Sequence, residues 1–97
     1  MGAVKRVAIV GFGSLGAMYA GCFGRAMGAG DVFVVADAAR TAAYRAEPTI
    51  FNGEPIAATY LTYDEAAARA ATTPFDVVLY AVKYGALAEA MEQSALL

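Results

Sequence analysis

Three glycines, an aspartate and a lysine are the residues of this chain best suited to chemistry. Gly11, Gly13 and Gly16 stand at G-x-G-x-x-G spacing in the stretch Val7-Ala8-Ile9-Val10-Gly11-Phe12-Gly13-Ser14-Leu15-Gly16. The apolar run before them reads as a buried strand, and the residues after them open a helix. In that setting the spacing marks a turn that receives the pyrophosphate of a dinucleotide. Gly11 permits the tight turn, Gly13 has no Cβ to block the phosphates, and Gly16 lets the helix pack against the strand. The free amides around Ser14 and Leu15 point at the anion together with the helix dipole. A plain strand-to-helix turn is the bare alternative.

Asp37 narrows the reading. Val32-Phe33-Val34-Val35-Ala36 forms a second apolar run and ends on this acid. An acid about twenty residues past the glycine turn accepts hydrogen bonds from the adenosine ribose hydroxyls, and its charge repels a 2′-phosphate, which favours NAD over NADP. Asp37 is also suited to cap a helix starting at Ala38, and the two roles are compatible. Arg40 is either a solvated helix residue or a cation within reach of a 2′-phosphate. Lys83 follows a later apolar run, Val77-Val78-Leu79-Tyr80-Ala81. Ligands of open α/β sheets lie at the carboxyl ends of the strands. Lys83 is therefore either a cleft cation, able to meet a phosphate, a ribose or a substrate carboxylate, or an exposed loop lysine. Tyr84 is a neighbour that could line the same cleft.

These residues need a scaffold, and the chain supplies its pattern. Lys5–Val10 and Asp31–Ala36 carry consecutive rather than alternating apolar residues, as parallel strands covered on both faces do. Between them Ser14 to about Met27 reads as a helix. Its inner face is small (Ala17, Ala20, Gly21, Gly24), implying a close approach to backbone, most simply the sheet. Gly28-Ala29-Gly30 ends it. A short helix over Ala38–Glu47, with Arg40, Arg45 and Glu47 facing water, is stopped by Pro48. Asn52-Gly53 lies between extended segments and predicts a hairpin. Pro55 confines its second arm to an edge or loop. Thr59–Tyr63 is the third strand of the main sheet. Asp64 is suited to cap a helix over Glu65–Ala71. Val77–Ala81 is the fourth strand, and a helix over Ala86 to about Ser94 closes the chain, with Leu87, Ala90 and Met91 on one face. The alternation of strands and helices gives an α/β fold, a doubly wound parallel sheet with main strands in the order 3-2-1-4. Further strands beyond the fourth are expected in a complete fold of this kind. Residues 1–97 thus read as one partial dinucleotide-binding domain of a longer protein.

Bulk properties exclude several classes. The 97 residues are 60% hydrophobic and 16% charged, with a net charge of −2. No basic stripe points to nucleic acid. No apolar run reaches the eighteen or so residues needed to span a bilayer, and the run after Lys5-Arg6 is too short for a secretion signal. The chain has no His and a single Cys, Cys22. That argues against a metal cluster and a disulfide framework, and it suits a reducing cytoplasm. Cys22 reads as a small packing residue on the first helix. Tyr60, Tyr63, Tyr80 and Phe75 read as core or cleft-wall residues, and no carboxylate pair suggests acid/base catalysis.

The stretch Arg6–Gly16, the strand ending at Asp37, Phe51-Asn52-Gly53 and Val77-Val78-Leu79-Tyr80-Ala81-Val82-Lys83 together resemble the amino-terminal domain of ketopantoate reductases (2-dehydropantoate 2-reductases). The resemblance covers nearly the whole chain, and the strand leading into Val82-Lys83 is its most distinctive part. It implies a Rossmann-type domain and reduction of 2-dehydropantoate to pantoate, in pantothenate biosynthesis, by hydride from NAD or NADP. By position, Gly11, Phe12, Gly13, Ser14, Leu15 and Gly16 would hold the pyrophosphate, and Lys83 would lie in the cofactor cleft near the substrate. The catalytic lysine and substrate-binding acid of the family belong to a later helical domain, so no catalytic residue is expected among residues 1–97. NADPH-preferring members tend to carry arginine where this chain has Asp37, which leans this chain to NAD and leaves room for another 2-oxo acid. A non-catalytic nucleotide sensor and a methyltransferase are the other readings of the glycine turn and acid. The regular glycine spacing and Lys83 speak against the methyltransferase. An unpaired sheet edge makes self-association, such as a homodimer, an expectation.

Overall fold

Two strands with every residue buried form the centre: β1 (Val7–Val10) and β2 (Val32–Ala36). The computed structural model describes residues 5–11, 14–28, 30–47, 49–51, 53–82, 84–95 and 97. Between the two strands runs α1 (Ser14–Met27). Next come α2 (Ala38–Ala46), a hairpin of β3 (Ile50–Phe51) and β4 (Glu54–Pro55), then β5 (Thr59–Thr62) and α3 (Tyr63–Thr72). The chain continues through β6 (Val77–Tyr80), a 3-10 turn at Tyr84–Ala86 and α4 (Leu87–Gln93). Among the described residues, no helix is long and apolar enough to cross a membrane.

The main sheet has four strands in the order β5-β2-β1-β6. All its pairings are parallel, with Val7 opposite both Val32 and Val77, and Phe33 opposite Thr59. This is the expected 3-2-1-4 order. Its cause is the hand of the crossovers, which carries the chain outward from β1 through β2 to β5 and then back across to β6.

Alternation along the strands divides the core into two layers. Val7, Ile9, Val32 and Val34 face α1, where they meet Ala20. Ala8, Val10, Phe33 and Val35 face the other way, onto Ala66 and Ala70 of α3 and Ala90 of α4. Fully burying a Val, Ile or Phe side chain stabilises the fold by about 1.5–3 kcal/mol. Both layers are therefore needed to hold the central strands.

Several boundaries differ from the sequence expectation. Tyr63 starts α3 instead of ending the strand, and the cap is Thr62, not Asp64. Thr62 Oγ1 accepts from the Glu65 amide at 3.1 Å, while Glu65 Oε1 accepts from the Thr62 amide at 2.8 Å. This reciprocal pair satisfies two helix-end donors that Asp64 could not satisfy together. Arg45 is exposed as expected, but it is not idle. It donates to the Tyr60 carbonyl at 2.7 Å and to Glu65 Oε1 at 2.8 Å, fastening α2 to the start of α3. Gly24 makes its close approach to the loop before β5, where an added Cβ would strike the Ala57 carbonyl, rather than to the sheet. Cys22 is exposed, so it does not pack as expected. On α4 Ala90 is buried, but Met91 is 52% exposed and does not share its face. The hairpin forms as expected, with Gly53 at φ 82°. Pro48 and Asn52 lie outside the described residues.

At the amino-terminal end of the sheet, Asp76 Oδ2 accepts from the amides of Lys5 and Arg6, both at 2.9 Å. These donors hold its carboxyl below the ordinary aspartate value. The Thr62 amide and Arg45 do the same for Glu65. A depressed folded-state pKa contributes stability above the unfolded value of about 4, which is lost as pH falls through the folded value. The urea midpoint is therefore expected to hold from pH 7 to about 5 and to fall below pH 4. Asp76→Asn should flatten that acid limb. An acid limb unchanged in the variant would remove Asp76 as a cause.

Candidate functional site

The carboxyl ends of the four parallel strands converge on one cleft of about 250 Å³. Gly11 follows β1, Ala36 ends β2 and Asp37 follows it, Tyr63 follows β5, and Val82 lies just past β6; all of them line it. The opposite wall is α4, which presents Glu89, Ala90 and Gln93. A doubly wound sheet places its ligand at this edge because adjacent crossovers leave on opposite faces and open a crevice between them.

Gly11 is forced into its role by its surroundings. Its φ is +93°, and an added Cβ would lie 2.5 Å from Val82 Cγ1 and 2.7 Å from the Ala81 carbonyl oxygen. Its amide donates to the Val35 carbonyl at 3.3 Å, while the Ala81 amide donates to Val10 at 2.8 Å. The turn is thus clamped between β2 and β6. Gly16 is buried on the far side of that turn, where an added Cβ would lie 2.5 Å from the Gly11 carbonyl oxygen. What Gly16 permits is close packing of the helix on the turn itself, a tighter requirement than packing on the strand. Helix α1 starts at Ser14, with no acid in its first turn. Its free amides and dipole therefore keep their attraction for an anion. Phe12 and Gly13 lie outside the described residues, as do the side chains of Ser14 and Leu15.

Asp37 takes the capping role expected of it. Its Oδ1 accepts from the Arg40 amide at 2.8 Å, capping α2. Its side chain remains half exposed to the cleft, with Oδ2 3.8 Å from Arg40 Nε. A carboxylate has about four acceptor sites, so the cap leaves capacity for a diol. The cleft end of α2 is held by buried Thr41, whose hydroxyl lies 3.2 Å from the carbonyls of Ala36 and Leu61. Arg40 also lines the cleft, with a side chain 73% exposed.

Tyr63 is set by the Thr62–Glu65 cap and forms the cleft floor beside Asp37. Burial pushes its phenol pKa up, and the Asp37 carboxylate pushes the same way, against Arg40. The hydroxyl thus keeps its proton at neutral pH and can donate as well as accept. Tyr80 is 37% exposed, not core, and its hydroxyl meets Ser94 Oγ at 2.6 Å. Phe75 is buried as expected, edge-on to Phe33 with centroids 5.3 Å apart. Lys83 and the side chain of Tyr84 lie outside the described residues.

The sequence profile of the family described as ketopantoate reductase PanE/ApbA matches residues 7–96. The chain belongs to this family. As a ketopantoate reductase family member it has an oxidoreductase lineage that works with nicotinamide cofactors, and the cleft has the parts such a cofactor needs. Gly11 lines it shortly before a helix start that carries no acid, the half-exposed carboxylate of Asp37 lines it at the end of β2, and Val82 and Tyr63 give apolar surface. No curated protein and no solved structure matches the chain.

Several cleft residues of this ketopantoate reductase family member escaped the sequence reading. Tyr44, Val82, Glu89 and Gln93 all line the cleft. The spacing of Glu89 and Gln93, four apart on α4, was the available signal, since it puts both on one helix face.

Proposed function

We propose that this chain is the cofactor-binding part of an NAD(P)-dependent reductase that passes hydride to a 2-oxo acid, with 2-dehydropantoate as substrate and pantoate as product. The observation that carries this reading is the meeting of Gly11 and Asp37 in one cleft at the carboxyl edge of the sheet. A dinucleotide needs an anion-binding turn and a diol acceptor within one nucleoside of each other, and the family match supplies the chemistry.

When bound, the nicotinamide supplies the hydride. The residues of the chain bind and orient. The start of α1 takes the pyrophosphate and Asp37 takes the ribose diol, while the family resemblance assigns Lys83, which follows β6 in sequence, to the substrate. The groups that protonate and hold the 2-oxo acid belong, in this proposal, to a further helical domain. The Asp37 carboxylate opposes a 2′-phosphate, so NAD(H) is the favoured cofactor.

Calorimetric titration of the full-length protein with NADH, NADPH and S-adenosylmethionine tests this. NADH is expected to bind about tenfold or more tighter than NADPH, with no heat from S-adenosylmethionine. Oxidation of NADH should then depend on added 2-dehydropantoate. Binding of S-adenosylmethionine alone would sink the proposal. Binding of NADH without turnover of any 2-oxo acid would leave a nucleotide sensor.

A further inference from the structure

We propose that Glu89, assisted by Gln93, reads the base of the bound nucleotide by accepting a hydrogen bond from the exocyclic amine of adenine. This rests on the dinucleotide reading above.

The ribose end of the cleft is fixed by Asp37, which leaves the space between Tyr63 and α4 for the base. Tyr63 offers an aromatic surface there. On the facing wall, Glu89 and Gln93 both line the cleft, and residues four apart on a helix have their side chains about 5–6 Å apart. Such a pair suits the edge of adenine, which offers an amine donor beside a ring-nitrogen acceptor. A carboxylate only accepts, whereas the Gln93 amide also donates.

Two further observations support the assignment. Among the described residues Glu89 has no ion-pair partner. Its charge nevertheless bears on the cleft, since it helps to raise the Tyr63 phenol pKa. Helix α4 is also anchored. Ser94 is buried, donates to the Ala90 carbonyl at 2.7 Å and meets the Tyr80 hydroxyl at 2.6 Å. The wall that carries Glu89 is therefore tied to the end of β6, as a reading surface must be.

The test compares NADH with its hypoxanthine analogue, in which a carbonyl oxygen replaces the amine, by titration of the full-length protein. The unmodified protein is expected to bind NADH about fivefold or more tighter than the analogue, because that oxygen faces an acceptor. In Glu89→Gln the ratio should fall to about one, since an amide can accept from the amine or donate to the oxygen. Gln93→Ala should weaken NADH while leaving a preference for it. A purely structural role for Glu89 would change both affinities together and leave their ratio fixed. Equal binding of the two by the unmodified protein, or an unchanged ratio in Glu89→Gln, overturns the assignment and leaves the dinucleotide reading standing. Failure to bind either dinucleotide overturns both.

Discussion

Alanine at position 11 is expected to abolish dinucleotide binding and to lower the stability of the domain by roughly 2–4 kcal/mol, the combined scale of backbone strain and overpacking. Two separate causes act together. The backbone at Gly11 has φ +93°, and the space a methyl would need is taken by Val82 Cγ1 and by the Ala81 carbonyl oxygen. The valine could rotate away. The carbonyl could not, because residue 81 is tied to β1 through the hydrogen bond its amide donates to the Val10 carbonyl. Relief would have to come from opening the turn, which moves the start of α1 away from the pyrophosphate. Gly53→Ala is the matched control. Its φ is +82°, yet an added methyl there meets nothing within 4 Å. That variant should lose only about 1 kcal/mol, the strain of a left-handed alanine, and should bind NADH normally. Urea denaturation and calorimetric titration of both variants would decide the matter. Normal NADH affinity in Gly11→Ala would show that the turn does not position the cofactor.

How much of this was legible in the sequence depends on the range of the forces involved. The central strands could be read because Val7–Val10 and Val32–Ala36 are apolar at consecutive positions, and only burial on both faces accounts for that. Strand order followed from chirality, which acts on every crossover alike. The end of β5 was misread for a local reason. Thr59-Tyr60-Leu61-Thr62-Tyr63 is strand-like at every position, and Asp64 is a good cap in isolation. The spacing of Thr62 and Glu65 carried the deciding signal, two mutual hydrogen bonds in place of one. Gly24 posed a different problem. A glycine inside a helix announces a close approach, but its partner, the loop at Ala57, is chosen by tertiary packing.

The candidate site divides along the same line. Gly11 and Asp37 sit at strand ends, so their convergence follows once the sheet is parallel. The α4 wall does not follow from local pattern. Glu89 reaches the cleft because α4 folds back over the sheet and seats Ala90 in the same core layer as Phe33 and Val35. Cys22 shows the converse. Its helix was foreseen, but the face on which it would lie depends on which small residues the sheet and the β5 loop accept.

Asp37→Ser is the second large effect, expected to shift the ratio of NADPH to NADH affinity by about 100-fold, or roughly 3 kcal/mol, in favour of NADPH. The choice of serine separates the two duties of the side chain. Its hydroxyl can still accept from the Arg40 amide, so α2 keeps its cap and the melting temperature should hardly move. What disappears is a negative charge beside the ribose. That loss weakens NADH, which no longer has a charged acceptor for its diol. It strengthens NADPH, whose 2′-phosphate no longer meets a like charge and gains Arg40, which the wild-type carboxylate holds at 3.8 Å. Both changes move the ratio in one direction. Adding Arg40→Ala should then take back the gain for NADPH while leaving NADH nearly unaffected, because only the phosphate needs a cation there. If Asp37→Ser melts early with its cofactor ratio unchanged, the aspartate serves the helix alone, and the choice between NAD and NADP lies elsewhere in the cleft.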